Sequence, residues 1–166
     1  MKKAIFKLIV ILFPFIGIGQ DSLNELLEQY NTESIPYITV KELEPIKNDI
    51  ILFDARELVE YQTSHLKGAL HVGYDHFDVN KIVEQNIPKE SKIVVYCSLG
   101  IRSEDISEKL KEIGYTNVYN LYGGIFEWKN EDNEVVDTND KETNKVHAFS
   151  KEWGKWLLKG KKVYKK

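Results

Sequence analysis

Two uninterrupted apolar runs constrain this chain more than any other feature: Ile50-Ile51-Leu52-Phe53, ending at Asp54, and Ile93-Val94-Val95-Tyr96, running directly into Cys97. A strand with one wet face alternates apolar and polar residues. Runs without a polar interruption are buried on both faces, as in a parallel sheet sandwiched between helices. Shorter extended segments are expected at 35–38, 69–72 and 117–121. Helical patterns lie between and before them. Leu23, Leu26, Leu27 and Tyr30 recur at helical spacing, and Thr39-Val40-Lys41-Glu42 is a capping box opening a helix through Ile46. Asp78 caps a helix over 79–86 that Pro88 bars from continuing. Residues 104–113 place Ile106, Leu110 and Ile113 on one face before Gly114, and Gly123-Gly124 turns into a short helix carrying Trp128. This alternation predicts right-handed crossovers and an α/β fold, a parallel sheet with helices on both faces.

With 166 residues, 42% hydrophobic and 30% charged, the chain can bury one ordinary core, and neither a disordered nor a low-complexity reading fits. The net charge of −3 argues against charge-driven nucleic-acid binding, so no nucleic-acid partner is expected. Residues 1–19 read as an address. Lys2, Lys3 and Lys7 precede an apolar run from Leu8 to Ile16, then Gly17-Ile18-Gly19. That order of basic, apolar and small residues is a secretory signal, and the run is too short, and interrupted by Pro14, to read as a spanning helix. Cleavage after Gly19 is expected, with export to the periplasm. A retained N-terminal anchor is the alternative. Cleavage leaves 20 basic against 26 acidic residues, a net charge of −6.

Export to an oxidising compartment usually goes with paired cysteines, yet Cys97 is alone, so no intrachain disulfide can form. Composition leaves two readings, an inert buried thiol or a reactive one. Position favours the second. Ligands of parallel sheets gather beyond the carboxyl ends of strands, where Cys97 stands. The following Ser98-Leu99-Gly100-Ile101-Arg102-Ser103 can turn tightly at Gly100, aim amides inward and add the positive end of a helix dipole. Helix N-termini and arginines lower a thiol pKa, whereas Glu104 and Asp105 compete for the same positive potential.

At this point the chain resembles the rhodanese-like sulfurtransferase domains, from about Ile38 to Val136. Leu52-Phe53-Asp54-Ala55-Arg56-Glu57 with Glu60-Tyr61 looks like the family's Asp-x-Arg motif, and His65-Leu66-Lys67-Gly68-Ala69 resembles its His-Ile-x-Gly-Ala block. Tyr96 to Ser103 is similar to its active-site loop, and Gly114-Tyr115-Thr116-Asn117-Val118-Tyr119 with Leu121, Gly123, Gly124 and Trp128 to its C-terminal signature. The resemblance implies that Cys97 takes a sulfane sulfur from a donor such as thiosulfate, carries it as a persulfide and passes it to a thiol or a cyanide-like acceptor. No metal or other cofactor is needed. Loop amides would hold the persulfide charge, and Arg102 would attract an anionic donor. Phosphatases and arsenate reductases of the same fold have five residues between Cys and Arg, whereas here Ser98, Leu99, Gly100 and Ile101 make four. Within the family the shorter loop goes with sulfur transfer. A non-catalytic sulfur-carrying or protein-interaction module is the other reading.

Asp54 and Arg56 are expected to form a structural ion pair supporting the site. Arg102 is expected either to contact substrate or to brace the loop through a carboxylate, and Ser103 to cap the helix that follows. Leu99 and Ile101 stand where many relatives carry polar residues, which points to a larger or protein-bound sulfur partner. His65, His71, His76 and His147 lack metal-ligand spacing, so no metal site is expected. In domain terms, 20–34 is a helical lead-in, 35–136 the rhodanese-like domain, and 137–166 a linker with a basic C-terminal extension. On a helix over 150–158, Trp153, Trp156 and Leu157 oppose a Lys151, Lys155 and Lys159 stripe. Both tryptophans are expected to dock on the domain, followed by a small strand through Val163-Tyr164, with membrane contact as the lesser alternative.

Overall fold

The structure is a computed structural model and describes residues 22–164. The expected signal over 1–19 lies outside the described residues, as do Lys165 and Lys166. The central sheet comprises β1 (Tyr37–Ile38), β2 (Ile51–Asp54), β3 (Leu70–His71), β4 (Ile93–Tyr96) and β5 (Val118–Leu121) in the order β1-β5-β4-β2-β3. Every pairing is parallel, and β4 lies in the middle, with Leu52 opposite Val94 and Val95 opposite Asn120. All four β4 residues are buried, as expected for a run without polar interruption.

Alternation along the strands divides the apolar interior in two. Leu52, Val94, Tyr96 and Leu121 face one core, with Val40 and Leu43 of α2 (Val40–Leu43) and Ile125, Phe126 and Trp128 of α6 (Gly124–Asn130). Phe53, Ile93, Val95 and Val118 face the other, with Ile82 of α4 (Val79–Glu84) and Ile106 and Leu110 of α5 (Arg102–Glu112). α1 (Leu23–Tyr30) and α3 (Leu58–Thr63) complete the helices before the C-terminal segment. The expected caps form: Thr39 makes its capping box with Glu42, and the Asp78 side chain accepts from Asn80 N.

The C-terminal third departs from expectation in two places. The stretch read as a linker carries β7 (Glu142–Thr143), which pairs antiparallel with β6 (Val135–Val136) at the end of the expected domain, then β8 (Lys145–His147), which pairs in parallel with β9 (Lys161–Val163). The helix expected over 150–158 is a single turn, α7 (Lys151–Gly154), capped by the Ser150 side chain. A Cβ at Gly154 would meet the Tyr164 hydroxyl and Ala148 Cβ, so this end of the turn is close-packed. The extension still docks: Val146, Ala148 and Leu157 are buried in the first core, with Trp153 and Trp156 packed against it.

Candidate active site

The loop after β4 points its polar groups at one sulfur. Gly100 N donates to Cys97 Sγ at 3.2 Å. Gly100 reaches this geometry at φ +110°, where a side chain would be strained and its Cβ would crowd Leu121 O. The loop carbonyls are held from behind: Ile125 N donates to Cys97 O and Phe126 N to Ser98 O, at 2.9 and 3.2 Å. That approach requires Gly124, because a Cβ there would collide with Cys97 O and the Ser98 backbone. The glycine pair of the C-terminal signature therefore seats the start of α6 on the loop that follows Cys97.

Ser103 is not the helix cap the sequence suggests. α5 begins one residue earlier, at Arg102, and its N-cap position, Ile101, makes no side-chain capping bond. The Ser103 hydroxyl instead lies 3.5 Å from Cys97 Sγ and 2.7 Å from Asn120 Oδ1, two acceptors for a single proton. Asn120 in turn donates from Nδ2 to Gly100 O at 2.7 Å, and Asn31 donates to the same carbonyl at 2.9 Å. A residue before the sheet and one on β5 thus fix the turn of the loop from two sides.

Arg102 takes the bracing role. Its guanidinium grips Glu60 on α3 with two bonds, 2.8 and 2.9 Å, and Ser98 Oγ joins the cluster at 3.2 Å from Glu60 Oε1. Burial opposes the Glu60 carboxylate, but the Arg102 hydrogen bonds and charge outweigh it and hold Glu60 below the usual carboxylate range. Cys97 follows the same logic. Burial penalises the thiolate, yet Arg102, the Ser103 hydroxyl and the Gly100 and Ser103 amides together lower its pKa below the ordinary thiol value. The thiol is 2% exposed, but it lines an open pocket.

Asp54 and Arg56 form the expected ion pair, 2.6 Å apart and fully buried, and neither lines the pocket of Cys97. Arg56 also donates to Ser64 O at 2.7 Å, clamping the loop after α3 to the sheet. Of the residues expected at the site, Cys97, Ser98, Leu99, Ile101 and Arg102 line one pocket. Gly100 and Ser103 support the sulfur from within. Sequence reasoning assigned no role to Glu60, Asn120 or Asn31. Glu60 had a signal, its place in the Asp-x-Arg block, but nothing local pairs it with Arg102, 42 residues away. Phe149 and Trp153 also line the pocket, which nothing in the sequence indicated. Among the described residues no group of three or more His, Cys, Asp or Glu is arranged to hold a metal. His71 Nε2 instead contacts Arg56 O at 2.8 Å.

Comparison with known proteins agrees with this geometry. The rhodanese-like domain model matches residues 39–131. The chain is 35% identical over 85 residues to the thiosulfate sulfurtransferase GlpE of Coxiella burnetii, covering 50% of this chain and 75% of that protein. It is 39% identical over 85 residues to the tRNA uridine(34) hydroxylase of Aster yellows witches'-broom phytoplasma, covering 49% of this chain but only 28% of that longer protein. Among solved structures, a thiosulfate sulfurtransferase from Pseudomonas aeruginosa superposes with a TM-score of 0.59 at 21% identity, over 80% of this chain and 25% of that one. A rhodanese-related protein from Thermoplasma volcanium gives 0.53 at 23%, over 61% and 97%. At those identities the two structures speak for the fold. The matched sequence, the four-residue loop and the cradled thiol converge: this chain belongs to the family of rhodanese-like domains.

Proposed function

We propose that this protein is a sulfurtransferase working through a persulfide on Cys97. The Cys97 thiolate attacks the outer sulfur of a donor such as thiosulfate. An S–S bond forms at Sγ, the donor's own S–S bond breaks, and sulfite departs with the bonding pair. A thiol or cyanide-like acceptor then takes the outer sulfur and returns the thiolate, giving two displacements and ping-pong kinetics. The supporting observation is the convergence of the Gly100 amide and Ser103 hydroxyl on a sulfur beside Arg102. These groups are in place before the donor arrives, so they stabilise charge on thiolate and persulfide without reorganising. The fixed Glu60 contact holds Arg102 as a positive charge in place beside the sulfur rather than as a mobile anion clamp.

The test is incubation with thiosulfate followed by intact-mass measurement. One sulfur atom added at Cys97 and removed by cyanide supports the reading. No adduct, with the fold intact, would leave only an interaction module. We also propose that residues 1–19 direct export, so that the donor and acceptor are periplasmic. Fractionation of cells expressing the full chain tests this, and a purely cytosolic protein overturns it.

A further inference from the structure

The mouth of the site is built by a segment beyond the rhodanese-like match, which ends at residue 131. Above Cys97 lies an open pocket of about 160 Å³ walled by Leu99 and Ile101 from the loop and by Phe149 and Trp153 from the C-terminal extension. Phe149 stands with its ring 5.0 Å from the Arg102 guanidinium, although its backbone adopts φ +58°, which a bulky residue rarely tolerates. Strain of this kind persists only where the surroundings over-determine it. Here β8 precedes Phe149, the Ser150 cap of α7 follows, and the Phe149 amide donates to His147 Nδ1 at 3.2 Å. Trp153 is held in turn by the edge of Tyr30 from α1, 5.8 Å between ring centres. Both flanks of the domain thus meet over the sulfur.

An apolar cavity of about 150 Å³ accommodates a benzene ring. Four of the side chains around this one are apolar, and the cation beside them is covered on one face by an aromatic ring. A doubly charged inorganic donor would lose water on entering and gain little from such walls. A singly charged donor with an apolar body would place its reacting sulfur at Cys97, its anionic end near Arg102 and its body against Phe149 and Trp153.

We propose, building on the sulfurtransferase reading, that Phe149 and Trp153 are specificity-determining residues that select organic sulfane-sulfur donors with an apolar body of about one ring. For an arenethiosulfonate the step balances without a further reactant. The Cys97 thiolate bonds to the terminal sulfur, the bond from that sulfur to the sulfonyl group breaks, and the arenesulfinate leaves with the electron pair. The protein keeps the persulfide anion.

The experiment compares rates of sulfur loading on Cys97 from benzenethiosulfonate and methanethiosulfonate, which share reacting atoms and differ in the body. It is read by intact mass in the wild type, Phe149→Ala and Phe149→Leu, with Trp153→Phe as a milder change to the second wall. The wild-type preference for the benzene donor is expected to fall about tenfold in Phe149→Ala, the scale of losing part of one ring contact, and to be partly kept in Phe149→Leu. An unchanged ratio in all three variants, with loading intact, overturns the specificity proposal alone. Failure of the wild type to load from either donor or from thiosulfate overturns the sulfurtransferase reading beneath it.

Discussion

The two arginines of this domain, fully buried Arg56 and half-buried Arg102, are both bound to carboxylates, and they do different work. Arg56 is fully buried, paired with Asp54 two residues away, and also donates to Ser64 O, while its Nη1 is buried without a hydrogen-bond partner. Arg102 is paired across 42 residues with Glu60 and keeps one side on the reactive pocket. The first pair ties a strand end to the loop that follows α3. The second sets the orientation of a positive charge beside a thiol. The difference lies in what each cation faces beyond its carboxylate: for Arg56 the closed interior, for Arg102 the pocket of Cys97.

The comparison can be broken at several points. The largest effect is expected at the thiol beside Arg102: Cys97→Ala abolishes sulfur loading, read by intact mass, while the circular-dichroism melt stays cooperative. Asp54→Ala leaves Arg56 charged and buried without its partner, so the domain should lose about 3–5 kcal/mol in a urea titration. The acid limb of sulfur loading by the folded fraction should stay in place. If that limb moves, the Asp54–Arg56 pair is not merely structural. Arg102→Met should do the reverse. Sulfur loading slows, and the pH at which it falls off on the acid side rises, because a major influence holding the Cys97 pKa down is gone.

A pH experiment sharpens the role of Glu60. Its pKa is lower folded than unfolded, so its contribution to stability is present above the unfolded value, about 4.3, and is lost as pH falls through the folded one. Glu60→Gln should therefore flatten the acid side of the stability curve relative to wild type. The smallest effect is expected from Asn31→Ala, which removes one of two bonds to Gly100 O. Asn120 retains the other, and a loss of about 1 kcal/mol is anticipated.

Much of the site was legible in the sequence because its information is local. An apolar run ending at Cys97 sets a thiol at the end of a buried strand, and a glycine three residues on permits the turn that brings its amide to the sulfur. The ion pair Asp54–Arg56 was legible because it spans two residues. Ser103 was misread because a serine beside a helix start has two local uses, capping or reaching across. Only the position of Asn120 on the neighbouring strand selects the second. The single turn of α7, against a nine-residue expectation, is a second departure: the amphipathic pattern is real, but the turn ends at Gly154, a position crowded by Tyr164 and Ala148 from outside the helix.

Strand burial, sheet class, the place of Cys97 at a strand end and the length of its loop follow from residues adjacent along the chain, where spacing and backbone freedom leave few alternatives. The carboxylate that Arg102 grips, the asparagines that hold Gly100 and the aromatic wall over the sulfur were decided only when the chain closed on itself. Those partners come from α3, from β5, and from segments on either side of the matched region. No periodicity encodes a contact between residues so far apart. Side-chain packing chose among many partners of equal local merit.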